Sequence, residues 1–99
     1  MTLTPFPSGF FVDKNLFYPA QGSVSIHVAV STYPGEYSLK VYNTAGEIVR
    51  QWPSHSTPYQ WVYPWDGRND NGEMCASGVY IIYLLEPFDR KFAKVILIH

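Results

Sequence analysis

The sequence predicts an all-β fold, and three observations support this prediction. Turn signals built from Pro, Gly, Asn and Asp recur at short intervals along the 99 residues. The segments between them have strand length and alternate apolar with polar residues, which is typical of a sandwich or barrel. No window combines a sustained helical period with capping residues at both ends, so we predict no helix longer than one turn.

The clearest predicted strand covers residues 23–30. Because side chains alternate across a strand, its apolar residues fall on one face and the others, including His27, fall on a solvated face. Residues 37–42 repeat the pattern. The predicted buried residues of the two strands are Val24, Ile26, Val28, Val30, Tyr37, Leu39 and Val41.

The remaining segments complete a sandwich. Residues 10–18 are predicted to form the first edge strand, interrupted at residues 13–15. Asn43-Thr-Ala-Gly46 is predicted to be a hairpin turn with Gly46 at positive φ, leading into a strand at residues 48–52. Residues 79–85 and 92–98 are apolar on both faces, which places them in the middle of a sheet or under a second covering surface.

These segments amount to about seven antiparallel strands, which is typical of an immunoglobulin-like (fibronectin-III-like) β-sandwich. We predict one domain over residues 10–99 and an N-terminal tail over residues 1–9.

Composition and charge narrow the class of protein. The chain is 46% hydrophobic and only 15% charged, with a net charge of −1, which suits an extracellular type of β module. The densest basic group, Arg90, Lys91 and Lys94, is too small for a nucleic-acid partner. No apolar run has the length of a membrane span, and the N-terminus lacks the pattern of a signal peptide. The single Cys75 excludes an internal disulfide and a multi-cysteine zinc site.

The polar loop between Trp65 and Tyr80 is the first candidate site. Its Asp66, Asn69 and Asp70 supply oxygen ligands of the kind that Ca²⁺ prefers. The EF-hand pattern fails, however, because the third position from Asp66 is Arg68 and no Glu falls at the twelfth. Asp and Asn also build turns by binding nearby backbone amides. We therefore favour a structural turn over a metal site.

A row of aromatic residues is the second candidate site. Tyr59, Trp61, Tyr63 and Trp65 share one face of a predicted strand over residues 59–65. Such a row either stacks on sugar rings or packs in the core. The core is favoured for Trp65, while Tyr59 and Tyr63, together with Trp52, form a candidate glycan-binding or protein-binding surface.

Catalytic groups and cofactor motifs are not found in the sequence. The three histidines form no metal-binding pair or triad, and no nucleophile elbow or phosphate loop occurs. We predict no catalytic residues and no cofactor.

Three motifs occur in order along the chain: Gly46-x-x-Val49-Arg50, Trp65-Asp66-Gly67 and Ser77-Gly78-x-Tyr80. With the strands around them, they resemble the FlgD-type immunoglobulin-like domain over residues 10–99. Cys75 departs from the pattern, because the family favours an apolar residue such as Val at that position.

The resemblance implies a non-catalytic spacer, cap or adaptor of a bacterial secreted, surface or flagellar-hook-related protein. We therefore expect docking to a protein partner or a neighbouring domain, through a sheet edge or the strand at residues 59–65. We also expect an extracellular or cell-surface location as part of a larger exported protein. The alternative hypothesis is a carbohydrate-binding or calcium-binding module of the same fold.

Overall fold

The computed structural model describes residues 9–29, 36–53, 60–86 and 90–99. Within these ranges eight strands form two sheets, and the one helical element is a 3₁₀ turn at Pro19–Gln21. The strands are β1 (Gly9–Val12), β2 (Leu16–Phe17), β3 (Val24–Ala29), β4 (Ser38–Asn43), β5 (Ile48–Gln51), β6 (Gln60–Trp65), β7 (Gly78–Leu85) and β8 (Arg90–Leu97). The predicted all-β fold is confirmed. No helix in the described ranges is long and apolar enough to cross a lipid bilayer.

The two sheets differ in size and order. The smaller sheet has the order β1-β3-β6 and is antiparallel throughout. The larger sheet has the order β2-β8-β7-β4-β5, and its β2–β8 pair is parallel. The described residues thus contain eight strands and one parallel pair, where the sequence predicts about seven antiparallel strands.

The N-terminal segment joins the two sheets, so the prediction of one interrupted edge strand at residues 10–18 was wrong. Strand β1 pairs with β3, whereas β2 pairs with β8 in the other sheet. Residues 13–15 carry the chain across: Ser25 N donates to Asp13 Oδ1 at 2.8 Å and Ile96 N donates to Asn15 O at 2.8 Å. The chain therefore passes from the smaller sheet to the larger one at the polar residues that interrupt its apolar pattern.

The alternating strands bury the predicted faces. Val24, Ile26 and Val28 of β3 are at most 2% exposed, and Leu39 and Val41 of β4 at most 3%. Val30 lies outside the described residues. Strand β7 lies between β8 and β4, which confirms that the doubly apolar segment at residues 79–85 is central in its sheet.

Trp65 lies at the centre of the core between the sheets. Its side chain is fully buried, with the ring of Phe17 at 5.6 Å and that of Tyr80 at 5.4 Å between centroids. These tilted arrangements are favourable for aromatic pairs. Phe17 and Tyr80 come from the larger sheet and Trp65 from the smaller one, so the three rings hold the two layers together.

Candidate functional site

The polar loop that follows Trp65 begins with a turn held to the core. Asp66 Oδ1 accepts a hydrogen bond from Arg68 N at 3.0 Å, and Trp65 Nε1 donates to Arg68 O at 3.0 Å. Cys75 N donates to Gly67 O at 2.8 Å. Asp66 therefore shapes the backbone in the way that short polar side chains do in turns.

A second turn follows at residues 69–73 and is organised by Asn69. Its Oδ1 accepts from the backbone N–H groups of Asn71 and Glu73, both at 2.9 Å, and its Nδ2 donates to Glu73 Oε1 at 3.2 Å. Gly72, at φ 83°, reverses the chain and donates its N–H to Asn69 O at 3.0 Å. One asparagine side chain thus satisfies two backbone donors of its own turn.

The β4–β5 hairpin uses the same turn. Asn43 Oδ1 accepts from the N–H groups of Ala45 and Glu47, both at 3.0 Å, and Asn43 Nδ2 donates to Glu47 Oε1 at 2.8 Å. Gly46 has φ 83°, as predicted from its place in the hairpin. The shared pattern Asn-x-x-Gly-Glu, at residues 43–47 and 69–73, is visible in the sequence as a repeat but is missed when each turn is considered alone.

The second turn also covers an edge of the larger sheet. Asp70 N donates to Val49 O at 2.9 Å, and Asp70 Oδ1 accepts from Gln51 N at 3.3 Å. Arg50 Nε lies 3.8 Å from Asp70 Oδ1. Because β5 is the last strand of its sheet, this loop satisfies backbone groups that would otherwise remain open to pairing with another chain.

The predicted metal ligands all take part in these turns. Asp66, Asn69 and Asp70 each have one side-chain oxygen bound to a backbone N–H. Within the described ranges no group of three or more His, Cys, Asp or Glu side chains is placed to hold a metal ion. An open cleft lies between the two Asn turns, with Asn43, Glu47 and Asn69 among its lining residues. A calcium site at this loop stays a prediction.

Two residues of the predicted aromatic surface, Trp52 and Tyr63, pack against the core. The rings of Trp52 and Tyr63 are 5.5 Å apart, and both side chains are half-buried against the core cluster. The Arg50 guanidinium lies 5.1 Å from the Trp52 ring centroid, within the range of a cation–π contact. Tyr59 lies outside the described residues. A glycan-binding or protein-binding role for these three aromatics stays a prediction.

Two titratable side chains, Cys75 in the loop and Tyr80 directly after it, are buried. Burial raises the pKa of the Cys75 thiol; Tyr80 partly opposes this change and Asp66 adds to it. Burial also raises the pKa of the Tyr80 hydroxyl, which donates to Ala76 O at 2.6 Å. A thiol with a raised pKa remains protonated at neutral pH, so Cys75 packs as a small apolar side chain.

His27 has a different environment from the solvated face that its position predicts. It is half-buried, and its ring stacks on Phe11 with centroids 4.6 Å apart. The flat stacked pair covers part of the outer side of the smaller sheet.

The two sheets and the loop-covered edge define an immunoglobulin-like β-sandwich domain. The chain belongs to the FlgD Ig-like domain family, whose sequence profile matches residues 15–84. This confirms the resemblance drawn from the motifs around Gly46, Trp65 and Tyr80.

A solved structure with a similar fold is that of PorZ, described as an essential bacterial surface component of the type-IX secretion system of Porphyromonas gingivalis. The two are 24% identical with a TM-score of 0.67, over 92% of this chain and 12% of the PorZ chain. The chain therefore spans about an eighth of PorZ, and at this identity the likeness concerns the fold. No curated protein matches the sequence.

Proposed function

We propose that this domain is a non-catalytic accessory module of a bacterial exported or cell-surface protein, acting by docking onto or spacing other protein domains. The observation that carries the proposal is the match of the FlgD Ig-like profile to residues 15–84. The similarity of the domain's fold to that of PorZ, a bacterial surface component of a secretion system, gives further support. Fold alone does not determine function, so the proposal must be tested on the protein itself.

The use of the polar residues supports a structural role. The Asp and Asn side chains of the two turns hold backbone amides, and Asp70 covers the edge of β5. The rings of Trp52 and Tyr63 pack on the core. These groups stabilise a compact sandwich, which is what a rigid spacer or adaptor requires.

The finer parts of the proposal follow from this role. Residues 10–99 form a single fibronectin-III-like domain, and residues 1–9 are an N-terminal tail whose last residue, Gly9, begins β1. The partner is a protein or a neighbouring domain, and the location is outside the cytoplasm.

The experiment replaces residues 10–99, in the bacterium that encodes the protein, with an unrelated β-sandwich of similar size. We expect the product to accumulate normally but to lose its surface location, measured by protease accessibility, or its partner, measured by co-purification at native level. If both are unchanged, the docking role is wrong and the module acts only as a spacer.

The calcium and glycan hypotheses are tested on the purified chain. A rise in melting temperature at millimolar Ca²⁺ that is lost in Asp70→Ala would establish the metal function instead. A polysaccharide-induced change in tryptophan fluorescence that is lost in Tyr63→Ala would establish the sugar function. With neither response, the calcium and glycan hypotheses are wrong.

A further inference from the structure

The outward side of the five-stranded sheet carries an ordered grid of side chains. Strand pairing places fourteen outward residues in four rows, which we call the outer face. The rows are Leu16, Ile96 and Val79; Lys94, Ile81, Tyr42 and Ile48; Phe92, Tyr83, Lys40 and Gln51; and Arg90, Leu85 and Ser38.

The outer face is mainly apolar and includes highly exposed side chains. Nine of its fourteen residues are aliphatic or aromatic. Phe92 is 68% exposed, Leu85 46%, Ile48 45% and Leu16 41%. Contiguous apolar patches on a soluble domain commonly mark an interaction surface.

The charges on the outer face have one sign. Lys40, Lys94 and Arg90 belong to it, and none of the fourteen positions holds Asp or Glu. The chain as a whole has more acidic than basic residues, eight against seven, so the cationic character is local to this face. A complementary partner must bring carboxylates to it.

The aromatic groups at the centre of the outer face are held in place before any partner binds. Tyr42 and Tyr83 pack edge to face with centroids 5.9 Å apart. Arg90 Nη1 donates to the Tyr83 hydroxyl at 3.2 Å. Side chains that are already ordered lose less conformational entropy on association, as is typical of binding anchors.

We propose that the outer face is the docking surface of this module and that it binds an acidic protein surface, with carboxylates placed opposite Lys40 and Lys94. The inference rests on the proposed docking function and identifies the surface and the partner's chemistry. Strands lie about 4.8 Å apart and same-face residues about 6.8 Å apart, so the face covers roughly 450 Å² in projection. Inter-domain interfaces bury about 300–750 Å² on each side, which matches this size.

The charge pattern argues against two other occupants. A second copy would place the cations of the two faces opposite one another, with no anion among the fourteen positions of either face, which disfavours a symmetric face-to-face dimer. A phosphate-rich surface is disfavoured because the cations are spread among apolar residues over three rows, whereas lipid-binding basic segments are clusters of four or more.

The experiment places a photo-crosslinking phenylalanine analogue at Phe92 in the protein expressed at native level in its own bacterium. The reference position is Val62, which is 54% exposed and belongs to the smaller sheet. We expect a protein adduct at position 92 with at least about tenfold higher yield than at position 62. Mass spectrometry of the adduct should locate the linked residue on a partner surface that contains Asp or Glu.

Charge reversal then tests the partner's chemistry. Lys94→Glu should lower the adduct yield at position 92 by about tenfold, because an attraction becomes a repulsion. Replacing the facing partner carboxylate with lysine should restore the adduct yield to within about threefold of the yield before the two charge changes. The matched control is Lys14→Glu on the exposed link between β1 and β2, which should leave the yield unchanged. Thermal unfolding of both variants checks that they fold.

Each other outcome overturns the inference. An adduct of position 92 with a second copy or with lipid assigns the outer face to that occupant. A partner adduct at Val62 without one at Phe92 keeps the docking function but moves it to the smaller sheet. If neither position gives a protein adduct, both the docking function and the surface assigned to it are wrong.

Discussion

Gly67 is a buried residue of the polar loop that packs directly against the core. A Cβ at this position would lie 2.8 Å from Leu97 Cδ1 and 3.1 Å from Pro19 Cγ. Its φ of 85° is in addition the left-handed region that L side chains rarely adopt. Leu97 is fully buried and cannot move aside without disturbing the core.

We therefore predict that Gly67→Ala destabilises the domain by about 2–4 kcal/mol, since a backbone penalty and overpacking act together. Gly72→Ala is the matched control, because Gly72 has φ 83° but open space around it. It should cost only about 1–2 kcal/mol, the backbone part. Urea unfolding of both variants measures the difference, and equal costs would contradict the packing argument.

We predict that the stability of the domain depends on pH because of Cys75. Burial raises the thiol pKa above its ordinary value of about 9.0, so the folded chain holds this proton to higher pH than the unfolded chain does. The associated stability is fully present below the unfolded pKa and is lost as pH rises through the folded one. Tyr80, whose pKa is also raised by burial, extends the loss to higher pH.

We predict that the free energy of unfolding decreases as pH rises above about 9.0, the ordinary pKa of the thiol. In Cys75→Val the first part of this decrease should disappear, while the part due to Tyr80 remains. Urea unfolding of both proteins from pH 7.5 to 10.5 provides the comparison. Parallel stability curves for the two proteins would exclude the thiol as the cause.

At the scale of elements, the loop at residues 69–73 acts as a cover for β5. Asp70 contributes both its backbone N–H, to Val49 O, and its carboxylate, to Gln51 N. The opposite edge of the sheet is the two-residue β2, and the edge strand β6 of the smaller sheet contains Pro64, which has no N–H to offer. Each of these edges is thus short, covered or interrupted, as expected for a sheet that must avoid non-specific pairing.

We predict that Asp70→Ala costs about 1–2 kcal/mol and speeds hydrogen exchange of the Gln51 amide at least about tenfold. Asp70→Asn retains an oxygen acceptor and loses only the charge opposite Arg50. It should cost under about 0.5 kcal/mol, as exposed ion pairs are weak. Amide exchange followed by NMR measures both variants. An equal effect of Ala and Asn would mean that the charge, and not the hydrogen bond, holds the loop.

The strands were predictable from the sequence because alternation is a local property. The buried faces of β3 and β4 follow from the spacing of their apolar residues, and the double-sided character of residues 79–85 indicates a central strand. Alternation does not specify the partner of a strand, however. For this reason the sequence predicts one edge strand over residues 10–18, whereas hydrogen bonds at Asp13 and Asn15 direct its two halves to different sheets.

The polar loop illustrates the same limit. That Asp66 and Asn69 build turns follows from their side-chain chemistry, and their hydrogen bonds agree. That Asp70 reaches across to Gln51, nineteen positions earlier, depends on the packing of the two Asn turns side by side. No local pattern in the sequence contains that contact.

At the scale of the whole molecule, the N-terminal segment links the two layers. Gly9–Val12 extends the smaller sheet, and Leu16–Phe17 completes the larger one beside β8. Phe17 is 1% exposed and packs 5.6 Å from the Trp65 ring. The segment therefore adds to both sheets and to the core between them, although it contains only six strand residues, four in β1 and two in β2.

We predict that removal of residues 1–9 leaves a chain that unfolds cooperatively, with a loss of no more than about 1 kcal/mol, because Gly9, the first residue of β1, is the only described residue that it removes. Removal of residues 1–17 should abolish cooperative unfolding, since it takes away β1, β2 and the buried Phe17 ring together. Phe17→Ala in the full chain separates the two causes and should cost about 3–5 kcal/mol. Urea unfolding followed by tryptophan fluorescence compares the three. Cooperative unfolding of the shorter fragment would show that the sandwich closes without its sheet-linking segment, and that the domain begins after residue 17.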